Sequence, residues 1–333
     1  MPDNVASLAE HALIERINNR LSETSPSVII GIGDDAAVIE PERGSMTVVT
    51  TDSLVETVHF DSQFCPLNTV GYKALAVNLS DLAAMGATPH HALLSLGLPR
   101  TLSLSKLDAL VDGIAAISTK HRTIIVGGNI TSSGGPLFVD VTALGSVKRR
   151  RVLRRDAVRP GDDIYVSGDV GAAAAGLASL QASPEDVDNF ALCRQRYLQP
   201  TPRIKLGAQL GKTKAARSCI DLSDGLADGI HQLAVASHVG ITIKADHIPI
   251  APDTIRWFEA SGIDPIIAAL KGGEDYELLF SAPVSKRRSI SAIGRLAGRI
   301  TLTRIGQATK NQSCTLIRNG KEKGLPTGYE HFR

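Results

Sequence analysis

The sequence has no paired cysteines. Its four cysteines (Cys65, Cys193, Cys219 and Cys314) are scattered, with no CxxC pair and no histidine at ligand-like spacing. That argues against a disulfide framework or a zinc site, and reduced thiols in the core fit better. Long apolar runs are also missing, none approaching the ~20 residues of a membrane span. The opening MPDNVASLAEHALIERINNR has acids and amides where an export signal needs basic and then apolar residues. The expected location is therefore the cytoplasm, without membrane contact. Charge of one sign is scarce as well. Thirty-six Lys and Arg against 34 Asp and Glu leave +2, too little to imply a nucleic-acid partner. No GxSxG, HExxH or Cys/His pairing supplies a nucleophile or a catalytic zinc. Gly207 to Thr213 (GAQLGKT) imitates a P-loop but is one residue short between its glycines and lies in a helical stretch rather than after a strand. His90 and His91 follow Pro89 in a turn and read as a surface pair.

What is present is the balance of an ordinary globular protein, 43% hydrophobic and 21% charged, over 333 residues. That length suits two domains, with a boundary expected near residue 150: residues 1–150 and 151–333. Apolar spacing predicts helices over 5–22, 68–86 and 103–120, and β-branched runs predict strands over 45–52, 92–98, 123–126 and 137–147. The turn Arg159-Pro160-Gly161-Asp162-Asp163 resets the chain. Strands at 164–167, 218–221, 241–245 and 277–282 then alternate with helices at 171–182, 225–238, 252–261 and 285–297. Alternation of this kind predicts α/β layers in both halves. Lys148 to Arg151, with Arg154 and Arg155, forms a basic run. It is either a solvated linker or a phosphate-contacting segment. A nucleic-acid arm fits less well, because no aromatics are interleaved.

The acids carry the chemistry. Asp34 and Asp35 lie in GIGDDAAVI, Asp52 ends TVVTTD, Asp81 lies in NLSDLAAMG, and Asp221 and Asp224 lie in CIDLSDGL. Each is flanked by Ala, Val, Ile or Leu, which predicts largely buried carboxylates. Burial costs several kcal/mol per ion unless something compensates. Mg²⁺ suits such a set, since it takes hard oxygen ligands and brings phosphates with it. Helix capping by Asp221 or Ser223, and turn capping by Asp34, is the competing explanation. Gly127-Gly128-Asn129 and Gly272-Gly273-Glu274-Asp275 would let a ligand approach the backbone, or simply form tight turns.

Together, GIGDDAAVI, TTDSLVETVHF, YKALAVNLSDLAAMGATP, VGGN, RPGDDIYVSG, IDLSDGL, GGEDYELLF and GYEHF resemble the thiamine-monophosphate kinases, within the superfamily that includes aminoimidazole ribonucleotide synthetase. The stretches run from residue 31 to 332 in the family's order. The resemblance implies an α/β (α+β) fold. Its N-terminal sheet-plus-helices domain would form a homodimer through its sheet, and a C-terminal α/β domain would complete an ATP cleft. By motif, the implied Mg²⁺ ligands are Asp35, Thr50, Thr51, Asp52, Asp81, Asn129, Asp221 and Asp224. ATP would meet Gly128, Asn129, Arg155 and Ser223, and thiamine monophosphate would meet His59, Glu274 and Tyr329. One departure stands out: many members of the family have a metal-binding Asp where this chain has Asn129.

The implied reaction moves the γ-phosphoryl of ATP onto the phosphate of thiamine monophosphate. The acceptor is already an anionic oxygen, so no general base is needed. Two rivals remain open at this point. One is a related ATP-dependent synthetase that activates an amide or acyl oxygen. The other is a silent thiamine-phosphate or nucleotide-binding protein.

Overall fold

The computed structural model describes residues 4–21, 23–182 and 190–328. It divides into two compact units, one of residues 1–82 and 88–148, the other of residues 83–87 and 149–333. No helix among the described residues is long and apolar enough to cross a membrane.

The first unit runs α1 (Glu10–Arg20), β1 (Val28–Ile30), β2 (Val38–Ile39), β3 (Met46–Val55), α2 (Leu67–Ala84), β4 (Thr88–Pro99), α3 (Leu104–His121), β5 (Ile124–Ser133) and β6 (Phe138–Val147). β1 and β2 form a separate hairpin, while the main sheet has the order β3-β6-β4-β5. Helix α3 starts where the Ser103 hydroxyl accepts the Lys106 N–H, and stops at Arg122 in a left-handed conformation. Its Leu107, Leu110, Val111, Ile114 and Ile117 are fully buried, the apolar stripe its sequence spacing predicts. α2 meets α3 backbone to backbone: a Cβ on Gly71 would lie 1.9 Å from the Leu110 carbonyl oxygen, and one on Gly113 1.9 Å from that of Asn68. Arg16 and Arg20 on α1 both pair with Asp108 on α3 and hold its carboxyl below the usual carboxylate range. The helix expected over 5–22 is broken, because the Val5 N–H bonds to the Leu102 carbonyl and Leu8 is extended. Regular helix begins only at Glu10.

The second unit runs β7 (Asp163–Ser167), α4 (Ala172–Ala182), α5 (Ala191–Leu198), α6 (Ile204–Thr213), β8 (Ser218–Asp221), α7 (Leu226–Ser237), β9 (Gly240–Lys244), α8 (Pro252–Ala260), α9 (Pro265–Lys271), β10 (Leu278–Ala282), α10 (Arg287–Leu296), β11 (Leu302–Thr309), β12 (Cys314–Arg318) and β13 (Lys321–Gly324). Its seven strands are ordered β13-β12-β9-β11-β7-β10-β8. Alternate residues of the central strands enter two different cores. Ile164, Val166, Ile220 and Leu279 pack with α7 residues such as Leu226 and Ile230. Tyr165, Cys219, Leu278 and Phe280 pack with Leu206, Leu210, Ile290 and Ile293. A sheet covered on both faces explains why these strands read as near-continuous apolar runs. The P-loop mimic is part of α6, and a Cβ on Gly211 would come 2.4 Å from the Arg151 carbonyl oxygen, so this glycine serves packing. All four cysteines are free, and three are buried.

At the centre of this unit the fully buried Glu277 carboxylate accepts hydrogen bonds from Arg196, Arg203 and the Ser167 hydroxyl. Breaking a buried pair strands the partner charges, at about 3–5 kcal/mol. Glu277→Gln should therefore lower stability by that amount, seen as a lower urea midpoint at an unchanged slope. A loss below about 1 kcal/mol would show that the arginines find other partners.

Candidate active site

In the first unit the site grows from the central strands. Alternation along β3 sends Thr50, Asp52 and Leu54 to one face, where the Thr50 hydroxyl donates to the Asp81 carboxylate on α2. Thr51 and Ser53 point to the other face. There Thr51 Oγ1 bonds the Val141 carbonyl (3.2 Å) and meets Thr142 Oγ1 (3.1 Å), and Ser53 donates to Asp140. The register extends this second face across the sheet, pairing Ser53 with Asp140, Asp140 with Ser95, and Ser95 with Asn129. Asn129 thus shares a face with Thr51 and Asp140, opposite Thr50, Asp52 and Asp81. Beside it, a Cβ on Gly128 would lie 1.8 Å from the Leu94 carbonyl oxygen, so only glycine fits. Asp34 and Asp35 lie between β1 and β2, where Asp34 Oδ1 accepts the Asp35 N–H at 2.8 Å. His59 Nδ1 accepts the Val55 N–H at 3.1 Å, which places any ring proton on Nε2.

In the second unit Asp221 ends β8 and Asp224 precedes α7. The Ser223 hydroxyl donates to Asp224 Oδ2 at 3.1 Å. The 272–277 segment clamps this turn: the Glu274 N–H donates to the Ser223 carbonyl at 2.6 Å and the Tyr276 N–H to the Leu222 carbonyl at 2.9 Å. Glu274 and Tyr276 both have positive φ, at 69° and 50°. Between them the buried Asp275 accepts the Gly171 and Ala173 N–H groups at the start of α4, and burial pushes its carboxyl up to about 7. On the other side, a Cβ on Gly328 would lie 2.5 Å from Asp228 Cβ and 2.8 Å from the Asp224 carbonyl oxygen. The chain just before Tyr329 therefore runs against the acidic end of α7. Tyr329 itself lies outside the described residues. Arg155 is exposed, and its guanidinium donates to Gln232 Oε1 at 2.8 Å. Gln232 in turn donates to Asp228, whose carboxyl is pushed up by burial and by the charge of Asp224.

The expectation of buried acids holds for Asp221 alone, which is 5% exposed. Asp34, Asp35 and Asp52 are exposed, and Asp81 and Asp224 are half-buried. Core residues flank Asp81, Asp221 and Asp224 (Leu82, Ile220 and Leu222), but the apolar residues around Asp34 and Asp35 are themselves exposed or half-buried, and Asp52 lies between Thr51 and Ser53. The adjacent histidines are not a surface pair either, since His91 is 5% exposed. Asp140 and Asp228 went unnoticed in the sequence. Only the cross-strand register reveals Asp140, whereas Asp228 was in view one helical turn beyond Asp224. Among the described residues no three His, Cys, Asp or Glu side chains converge closely enough to cage a metal ion. Each unit instead offers single carboxylates with a hydroxyl beside them. That oxygen-donor chemistry fits Mg²⁺, which is held by one or two carboxylates plus phosphate oxygens and waters, and does not fit zinc.

Residues 33–147 match the AIR synthase related protein N-terminal domain, and residues 159–319 match the AIR synthase related protein C-terminal domain. The thiamine-monophosphate kinase of Salmonella typhimurium is 37% identical over 329 residues, 97% of this chain and 98% of that protein. Among solved structures, the thiamine-monophosphate kinase of Stenotrophomonas maltophilia superposes with a TM-score of 0.83 at 38% identity, covering 94% of this chain and 98% of that one. The structure described as AaThiL complexed with AMPPCP and TMP gives a TM-score of 0.78 at 34% identity, covering 98% of both chains. With both domain families matched and identity sustained from end to end, this chain belongs to the thiamine-monophosphate kinase family.

Proposed function

We propose that this chain transfers the γ-phosphoryl group of ATP to the phosphate of thiamine monophosphate, forming thiamine diphosphate. The observation that carries this reading is the relationship over 98% of both chains to a relative complexed with AMPPCP and TMP. The chemistry of the chain's own residues agrees with it. A phosphate monoester has its second pKa near 6 and attacks as an oxyanion at neutral pH. No base or nucleophile is called for, and the acids described above are placed to hold cations rather than to abstract protons.

In this reading Asp35, Thr50, Thr51, Asp52, Asp81, Asn129, Asp221 and Asp224 hold Mg²⁺. Several such ions would be bound, and they would neutralise and align phosphate oxygens. Gly128 admits the nucleotide close to the backbone, Asn129 and Ser223 offer it hydrogen bonds, and Arg155 offers a phosphate its planar fork, oriented by Gln232. His59, Glu274 and Tyr329 take the thiamine phosphate. Glu274 is set by its backbone bond to Ser223, and Tyr329 follows the strap that Gly328 lays beside Asp224. The enzyme would work in the cytoplasm as a homodimer that buries the uncovered face of β3-β6-β4-β5, where Val49 is 60% and Leu93 38% exposed. Light scattering should report twice the chain mass and Val49→Lys should lower it. A monomeric wild type would remove the dimer from this account.

Incubation with ATP, Mg²⁺ and thiamine monophosphate should yield thiamine diphosphate and ADP. Release of inorganic phosphate instead would favour synthetase chemistry, and bound nucleotide without turnover a silent binder. Asp52→Ala and Asp224→Ala should each retain under about a tenth of wild-type kcat, a loss above ~1.4 kcal/mol. Neither should unfold the chain, because Asp52 is exposed and removing Asp224 relieves its repulsion of Asp228. A variant that kept more than a tenth would lose its metal role. Asn129→Asp should shift the Mg²⁺ activation curve to lower concentration, since cation affinity rises with ligand charge. An unshifted curve with a higher KM for ATP would mean that Asn129 donates its amide to a phosphate.

A further inference from the structure

The hairpin of β1 and β2, which carries Asp34 and Asp35, has almost no core of its own. Ile29, Ile30 and Val38 are 61%, 38% and 46% exposed. Beside it open two pockets. One of about 440 Å³ is lined by Asn18, Val28, Ile32 and Ile125, and another of about 460 Å³ by Ser27, Glu42, His90, His91 and Ser146. A hairpin with so little buried apolar surface is held by its ends.

Both ends lead to the same pair of adjacent residues. At the entry, Ser27 Oγ meets His91 Nε2 at 2.9 Å, and the Ser27 carbonyl accepts the Glu40 N–H at 2.7 Å, which closes the hairpin across its base. At the exit, Glu42 accepts the Ser146 hydroxyl, and Ser146 Oγ meets His90 Nε2 at 2.8 Å. Because Ser146 donates its proton to Glu42, it accepts from His90, which fixes the proton on His90 Nε2. Ser45 Oγ adds a second bond to Glu42 at 2.9 Å, and Lys148 Nζ lies 3.6 Å from the other carboxylate oxygen. His90 and His91 lie near the start of β4 and Ser146 lies on the neighbouring β6, so the entry foot rests on β4 and the exit foot on β6, where His90 braces Ser146.

We infer that the Ser27–His91 contact at the entry and the Ser146–Glu42 contact at the exit, braced by His90, fasten the two feet of the Asp34–Asp35 hairpin and thereby position Asp35 where it can meet Mg²⁺. The inference rests on the metal role given to Asp35 above. Ser27 and Ser146 are the mild places to cut each foot, since neither change opens the core. Ser27→Ala and Ser146→Ala should speed hydrogen exchange of the amides within 28–40 by about three- to tenfold, the range of one net hydrogen bond, and leave α3 unchanged. The double variant should exchange faster still, and Ser27→Thr, which keeps the hydroxyl, should match wild type. In the activity assay each single variant should need about three- to tenfold more Mg²⁺ for half-maximal rate, with kcat at saturating Mg²⁺ within about twofold of wild type. Unchanged exchange within 28–40 would overturn the fastening. Faster exchange with an unshifted Mg²⁺ curve would overturn its link to Asp35, and a uniform loss of stability and kcat would reduce the two contacts to structural ones. If the wild type showed no turnover, the function proposed above would fall. Exchange would then decide this inference alone: Mg²⁺ with ATP should protect 28–40 in wild type and less in the variants, and equal protection would overturn it.

Discussion

A carboxylate that holds a cation, as proposed here, must be kept in place without being neutralised, and a neighbouring hydroxyl meets that condition at three of the acids. Asp81 is held by the Thr50 hydroxyl, Asp224 by that of Ser223, and Asp140 by that of Ser53. A hydroxyl donates one hydrogen bond and leaves the negative charge intact. The acids that hold the scaffold together are answered differently. Glu277 is met by Arg196 and Arg203, Asp163 by Arg287 and Arg304, and Asp108 by Arg16 and Arg20. Guanidinium partners cancel the charge and return a rigid crosslink. Among these six acids the partner thus differs, hydroxyls at three and guanidinium groups at three, while Glu42 and Asp275, which brace the fold, are met by hydroxyls and by backbone amides.

Glycine supplies the complementary half of the design. Gly128 presses against Leu94, Gly273 against Ser223, and Gly328 against Asp228, each at a distance a Cβ would forbid. In the second unit the last two bring the 272–277 segment and the 325–328 strap against the short turn that carries Asp221, Ser223 and Asp224. The positive φ of Glu274 and Tyr276 marks where that segment is bent to do so. Such strain persists only where surrounding contacts over-determine it, and the buried Asp275, bonded to the start of α4, is one of those contacts.

Much of this was legible in the sequence because it is local. The apolar stripe of α3 and the β-branched run of β3 both report their own element. The separation of the buried strands β7, β8 and β10 by helices reports the layered architecture. What was not legible depends on partners distant in the chain. Asp52 lies between Thr51 and Ser53 and stays exposed although it shares a face with the buried Leu54, so the argument from buried charge fails there and holds only at Asp221. Asp140 becomes visible only through its register with Ser53 and Ser95. His91 is buried because β4 begins earlier than its turn-like Pro89 suggests. One miss had a local signal: Asn319 and Gly320 both have positive φ between β12 and β13, and an Asn-Gly pair is the sequence mark of such a hairpin.

If cations and backbone amides do nothing but align two phosphates, the phosphoryl group passes once, in line, from ATP to its acceptor. ATP made chiral with oxygen isotopes at the γ-phosphorus tests this directly through the configuration of the terminal phosphate in the thiamine diphosphate formed. The account predicts inversion. Retention would require a covalent phosphoenzyme, hence a nucleophile among these residues, and would contradict it.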